Sequence, residues 1–232
     1  MSKEEMIEEI KPHTVMNAIG AESIIPPIPG VDKAFVKDSH DVLDGKAEAT
    51  GNVVVIGGGM VGMETAEYLA EKGAKVSVLE MLPDICSDMG TTRKICMGEE
   101  IQKSGIIPVT SVKVTEIGDN VVIGEKDGEK VEFPCDTAVL AIGAKKRDGS
   151  ALAETCYKNG IGYFEIGDAA MARRAINATR EAMDAALTFD REDMHRDVSK
   201  PKKLVFITGA SGMMGGQTLK QLLARPNRFK VR

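Results

Sequence analysis

The chain has 232 residues, 43% of them hydrophobic, and a formal net charge of −5. That length allows one or two domains with a real apolar core, and the charge argues against electrostatic attraction to nucleic acid or an anionic membrane. No run of about 18 apolar residues occurs, so no transmembrane helix is expected. The polar, acidic start does not read as a secretory signal, which makes the cytoplasm the expected location.

In chain order, the pattern predicts a helix over 3–10 and a short strand over 14–21 that ends on glycine. Pro26-Pro27-Ile28-Pro29-Gly30 fits neither helix nor central strand, because proline fixes φ and lacks an N–H. It reads as a stiff crossing segment. The apolar, β-branched run Val53–Ile56 then enters Gly57-Gly58-Gly59-Met60-Val61-Gly62, and a helical pattern follows through Ala66, Leu69 and Ala70. Gly73 stops it, and the run Lys75–Leu79 ends on Glu80. Strand, glycine turn, helix, strand and acid in this register predict a dinucleotide-binding βαβ unit. Gly57 permits the tight turn, Gly59 lets backbone approach a pyrophosphate, and Gly62 lets the helix lie close to the strand. The helix N-terminus offers N–H groups and partial positive charge to the phosphates. Glu80 is expected to accept hydrogen bonds from the adenosine ribose, and its charge predicts a preference for NADH over NADPH.

A second helix is predicted over 92–104, with Ile95, Met97 and Ile101 at helical spacing and Gly105 as its stop. Three short strands follow over 111–117, 121–124 and 130–133, with Asp127-Gly128 as a hairpin signal, and then a buried strand over 137–144. The crossover before that last strand is therefore an antiparallel meander. A strand over 161–166 closes on Gly167-Asp168, and a helix over 173–187 is carried by Ile176, Ala182, Met183 and Ala186. Charge dominates 190–202, which reads as a linker. A fresh strand, Leu204–Ile207, leads into a second glycine turn, Gly209-x-x-Gly212-x-x-Gly215, with a helix over 213–223 behind it. One strand, one helix and a strand fragment cannot cover a sheet on two faces. This tail is expected to pack loosely, as a severed second unit.

Cys86, Cys96, Cys135 and Cys156 form no CxxC pair, which argues against a redox dithiol or a tight metal site. His13, His40 and His195 share no spacing with other ligands, and no catalytic acid, base or nucleophile is nominated.

Several motifs together resemble the pyridine-nucleotide-binding part of FAD-dependent disulfide-reductase-like oxidoreductases. They are Asn17-Ala18-Ile19-Gly20-Ala21 with the proline segment, the turn Gly57–Gly62 running on to Ala66, Ala141-Ile142-Gly143-Ala144, and Glu165-Ile166-Gly167-Asp168-Ala169. The likeness covers roughly residues 10–190 and is nearest to the C-terminal half of old-yellow-enzyme-type NADH:flavin oxidoreductases, such as 2-enoate and 2,4-dienoyl-CoA reductase. The tail resembles the opening of a short-chain-dehydrogenase or epimerase-type NAD(P) domain over about 30 residues. The expected fold is α/β: a Rossmann-like three-layer NAD-binding domain with a β-meander crossover, partial FAD-domain segments and a truncated second βα unit. The expected domains are partial FAD segments at 1–21 and 146–189, an NAD(H)-binding domain at 22–145, the linker, and the tail from 203.

By resemblance, NAD(H) binds at Gly57, Gly58, Gly59, Met60, Val61, Gly62, Glu64, Glu80 and Gly143. Glu64 would orient the carboxamide, while Gly167 and Asp168 belong to a flavin segment with Asp168 on the ribityl chain. No FAD pyrophosphate turn precedes Val53, so flavin retention is expected to be weak, and a flavin-bearing domain or subunit is a possible partner. Three functions stay open: an NADH-binding oxidoreductase module that passes hydride to a flavin, a non-catalytic nucleotide-binding remnant, and an epimerase-type fusion.

Overall fold

The structure is a computed structural model and describes residues 3–87, 89–191, 203–209, 211–224 and 229–231. The chain opens with α1 (Lys3–Ile10), β1 (Thr14–Asn17) and β2 (Ala21–Ser23). It continues through β3 (Val36–Asp38), α2 (Ser39–Leu43), β4 (Asn52–Ile56), α3 (Met60–Glu71), β5 (Lys75–Leu79), α4 (Thr91–Ser104) and β6 (Ile107–Val109). The strands β7 (Lys113–Ile117), β8 (Val121–Lys126), β9 (Glu129–Pro134) and β10 (Thr137–Leu140) come next. The last elements are β11 (Ala144–Lys146), α5 (Ser150–Lys158), β12 (Gly162–Glu165), a short 3-10 turn at Gly167–Ala169, α6 (Ala175–Arg191), β13 (Lys203–Thr208), α7 (Met213–Leu223) and β14 (Phe229–Val231). Two compact units result, one formed by residues 1–22 with 144–232 and the other by 23–143.

The 23–143 unit holds a five-stranded parallel sheet in the order β3-β10-β4-β5-β6. Both faces of this sheet are covered, so its strands read as continuous apolar runs. Val53, Val55, Val76 and Val78 pack against Met63, Ala66 and Leu69 of α3 and Met97 and Ile101 of α4. Val54, Ile56 and Leu79 face the other way, onto Val112, just before β7, and Ile117 and Val122 of the antiparallel β7-β8-β9 sheet. The period of two along β4 thus divides its side chains between two cores. The expected meander takes the place of a second helical layer. Gly105 closes α4 in the left-handed region at φ 67°, whereas Ile95, expected in the core, is 62% exposed.

Glu67 of α3 brings a carboxylate oxygen into this packing. Its Oε1 is buried without a hydrogen-bond partner among the described residues. Burial first, and neighbouring Glu100 of α4 second, raise its carboxyl above the ordinary value of 4.5. A raised acid pKa means that folding opposes ionisation. The penalty is present above the folded pKa and disappears as pH falls toward 4.5. Glu67→Gln, which presents an amide donor toward Glu100, is therefore expected to stabilise the protein at pH 7 by on the order of 1 kcal/mol, a typical cost of an unsatisfied buried polar atom. Melting temperatures of both proteins against pH check this; the gain should shrink toward zero in acid.

The other unit is a four-stranded parallel sheet, ordered β12-β1-β13-β14. Helices α1 and α5 contribute Ile7, Leu152 and Cys156 to one face, with Val15 and Phe206. Leu222 of α7 and Ala182 and Ala185 of α6 cover the opposite face, with Met16, Val205, Ile207 and Ile166. Helix α5 went unrecognised in the sequence because it is only nine residues long and buries two side chains, Leu152 and Cys156. The pattern assigned to α6 also shifts: Ile176 is 64% exposed and Met183 40% exposed, while alanines 178, 182, 185 and 186 form the buried face.

The largest correction concerns the tail. It does not pack loosely as a severed unit; β13 lies directly beside β1, in register from Thr14↔Val205 to Asn17↔Thr208. Val205 is fully buried, and Phe206 and Ile207 nearly so. The decisive contact is polar. Asn17 is completely buried; its Nδ2 donates to the Tyr163 hydroxyl at 2.8 Å, and its Oδ1 accepts from Thr208 Oγ1 at 3.0 Å. The tail therefore satisfies a buried amide that the first seventeen residues bring to the sheet. His13 adds a second link, donating its N–H to the Leu204 carbonyl at 2.9 Å and accepting the Leu204 N–H on Nδ1 at 3.1 Å. The expected linker lies outside the described residues from 192 to 202.

Candidate functional site

The glycine turn of the 23–143 unit sits where the strand order of its sheet reverses. From β4 the chain moves through α3 to β5 on one side, while β10 flanks β4 on the other. Such a switch point opens a crevice at the carboxyl ends of the strands. Gly57 is held at φ 110°, and a Cβ there would fall 2.4 Å from the Ala141 carbonyl oxygen. A Cβ at Gly62 would lie 1.9 Å from the Gly57 oxygen, so the start of α3 presses directly on the turn. Gly59 differs. As the residue that caps α3 it has extended backbone, and its missing Cβ would meet nothing within 4 Å. Open space thus lies at a helix N-terminus, whose first N–H groups have no acceptors within the helix. This is a cradle that a Cβ would fill, and its donor set suits a pyrophosphate.

Around this cradle, Met60 is half-buried and Val61 is 36% exposed. Glu64 is exposed on α3. Gly143 follows β10 in the left-handed region at φ 103°, and its carbonyl accepts the Ile24 N–H at 3.0 Å. Gly57–Gly62 and Gly143 thus share the crevice edge of one sheet. Glu80 carries a role that motif spacing does not show. Its Oε2 accepts the Gly58 N–H at 2.7 Å and its Oε1 accepts the Leu82 N–H at 2.7 Å. The carboxylate pins the glycine turn to the end of β5, and each oxygen keeps a second lone pair for a ribose hydroxyl.

Gly167 and Asp168 lie in the other unit. Gly167 adopts φ 63° and donates its N–H to Glu181 Oε2 at 2.9 Å; Glu181 also pairs with Arg173. The Arg173 N–H donates to Asp168 Oδ1 at 3.3 Å. Asp168 and Arg173 line a cavity of about 260 Å³ together with Ala18, Gly20 and the start of α7. Cys135 and Cys156 are buried thiols, and burial raises both, Cys135 to about 11. Thiols held protonated in this way are poor nucleophiles at neutral pH. Among the described residues no cluster of three His, Cys, Asp or Glu could hold a metal ion. No helix among them is long and apolar enough to cross a membrane.

Comparison with known proteins agrees with this geometry. The chain is 40% identical over 187 residues to an NADH oxidase of Thermoanaerobacter brockii, covering 78% of this chain and 29% of that protein. It is 44% identical over 141 residues to a bilirubin reductase of Mediterraneibacter gnavus, covering 61% of this chain and 22% of the relative. Among solved structures, a 2-naphthoyl-CoA reductase complex superposes with a TM-score of 0.70 at 30% identity, over 76% of this chain and 27% of that one. The chain thus spans less than a third of the length of each of these relatives. NAD(H) and FAD are the cofactors that fit this group. Residues 2–182 match the sequence profile of one family, and the chain accordingly belongs to the pyridine nucleotide-disulphide oxidoreductases.

Proposed function

We propose that this chain is the NADH-binding part of a flavin-dependent oxidoreductase, with NADH held at Gly57–Gly62 of the 23–143 unit. The observation that carries this reading is the empty space at Gly59, set at a helix N-terminus and at the switch point of a parallel sheet. When bound, NADH would supply the hydride and FAD would accept it. The protein's own part is therefore binding, orientation and electrostatics.

In this reading the first turn of α3 donates N–H groups to the pyrophosphate. Gly57 and Gly62 hold backbone segments too close for side chains, which fixes the curvature of the cradle. Glu80 locks the turn through Gly58 and accepts from the ribose. Glu64 and Gly143 lie toward the nicotinamide end, and Asp168 belongs to the flavin side. The electrons would pass to an organic acceptor of the enoate or enoyl type. The likeness to 2-naphthoyl-CoA reductase supports that class, and acceptor binding is assigned to a further domain.

The carboxylate gives the test. NADH is expected to bind at least about tenfold more tightly than NADPH, since a 2′-phosphate beside a fixed carboxylate brings like charges together. Glu80→Arg should reverse the preference. It should also loosen the turn, because arginine cannot accept the Gly58 and Leu82 N–H groups. Equal affinities in the unaltered protein, measured by quenching of nicotinamide fluorescence, would sink the assignment.

A further inference from the structure

The two units repeat one arrangement. In the 23–143 unit, the glycine-turn strand β4 lies beside β10, which runs into Ala141-Ile142-Gly143-Ala144. In the other unit, the glycine-turn strand β13 lies beside β1, which runs into Ala18-Ile19-Gly20-Ala21. A Cβ on Gly57 would meet the Ala141 oxygen at 2.4 Å, its carbon at 2.8 Å and the Ile142 nitrogen at 3.3 Å. On Gly209 it would meet the Ala18 oxygen at 2.2 Å, its carbon at 2.8 Å and the Ile19 nitrogen at 3.5 Å. Both glycines have positive φ, 110° and 75°. Both turns end on an extended glycine that caps the next helix, Gly59 before α3 and Gly212 before α7. The sheet topology matches too. β12 flanks β1 on one side, and from β13 the chain goes through α7 to β14 on the other, so the switch point falls between β1 and β13. The cavity lined by Ala18, Gly20, Asp168, Arg173 and the start of α7 opens at that point.

We infer that the C-terminal segment, outside the stretch that matches the family, supplies the second dinucleotide site: Gly212 and the first turn of α7 receive the pyrophosphate of FAD in this cavity. The choice of FAD over another dinucleotide rests on the function proposed above. The site itself rests on the repeated geometry. Gly212 is the counterpart of Gly59: a Cβ there would meet only the Gly209 oxygen, at an ordinary 3.4 Å. A side chain is therefore compatible with the fold but enters the cavity. The expectation of weak flavin retention, drawn from the absence of an upstream turn, reverses.

The test uses the full chain with two variants, Gly212→Val and Gly59→Val, titrated separately with FAD and NADH by fluorescence. Gly212→Val is expected to weaken FAD at least about tenfold, the equivalent of one lost charge-assisted hydrogen bond, and to leave NADH unchanged. Gly59→Val should do the reverse. Hydrogen exchange on the unaltered protein adds a readout independent of any variant: FAD should protect amides 211–217, and NADH amides 58–63. Absence of FAD binding, undiminished affinity in a folded Gly212→Val, or protection confined to 58–63 would overturn the inference. FMN binding as tightly as FAD would overturn the pyrophosphate assignment. NADPH in place of FAD at 211–217 would overturn the flavin. Unchanged NADH affinity in Gly59→Val would instead overturn the proposed function, leaving the FAD result to stand or fall by itself.

Discussion

Gly59→Val is expected to abolish NADH binding while the 23–143 unit stays folded. The backbone at position 59 has φ −74° and ψ −177°, ordinary extended geometry that valine adopts readily. No atom outside its chain neighbours stands within 4 Å of the added Cβ, which therefore enters open space. Replacing a capping glycine by valine typically costs about 1 kcal/mol. The cost to the ligand is far larger. Two branches of a side chain would occupy the space above the first turn of α3 and hold the pyrophosphate away from its N–H donors. Two lost charge-assisted bonds at about 1.5–3 kcal/mol each correspond to more than a hundredfold in affinity. Circular dichroism and thermal melting check the fold, and an NADH titration checks the site. Undiminished affinity in a folded variant would place the nucleotide elsewhere.

Removal of residues 203–232 should unfold the unit built from 1–22 and 144–202, rather than trim a loose end. β1 would lose the strand on one side of its register. Val205, Phe206, Ile207 and Leu222, all buried, would leave the two faces of the sheet open. At about 1.5–3 kcal/mol per buried side chain, their loss is comparable with the whole stability of a typical domain, about 5–15 kcal/mol. Asn17 Oδ1 would also lose the Thr208 hydroxyl. Thr208→Val isolates that last term: it keeps the shape of the side chain and should cost about 1–3 kcal/mol, the penalty for a buried acceptor left without a donor. Thermal melting of the full chain, the truncated chain and Thr208→Val checks both. A truncated chain that melts as one sharp transition at the original temperature would show that the tail contributes nothing to the sheet.

The βαβ unit was legible in the sequence because every part of it is local. Val53–Ile56, the glycines, Ala66, Leu69 and Glu80 lie within 28 residues, and turn chemistry and helical period both act over that range. The meander was equally readable from its Asp-Gly hairpin signal and its short β-branched runs. Family membership followed from several such local motifs standing in a fixed order.

Tertiary structure decided what depends on distant pairing. The Ala-Ile-Gly-Ala segments at 18–21 and 141–144 are plain in the sequence, but nothing local says that the first of them meets Gly209. That contact joins residues 191 apart, as does the bond between Asn17 and Thr208. Read alone, the tail was a strand without neighbours. In the fold, a buried amide and two uncovered sheet faces from the opening residues supply what it lacks. Glu80 shows the same division on a smaller scale. Its position as an acid after the second strand was set by spacing, but only packing brought its two oxygens onto the Gly58 and Leu82 N–H groups.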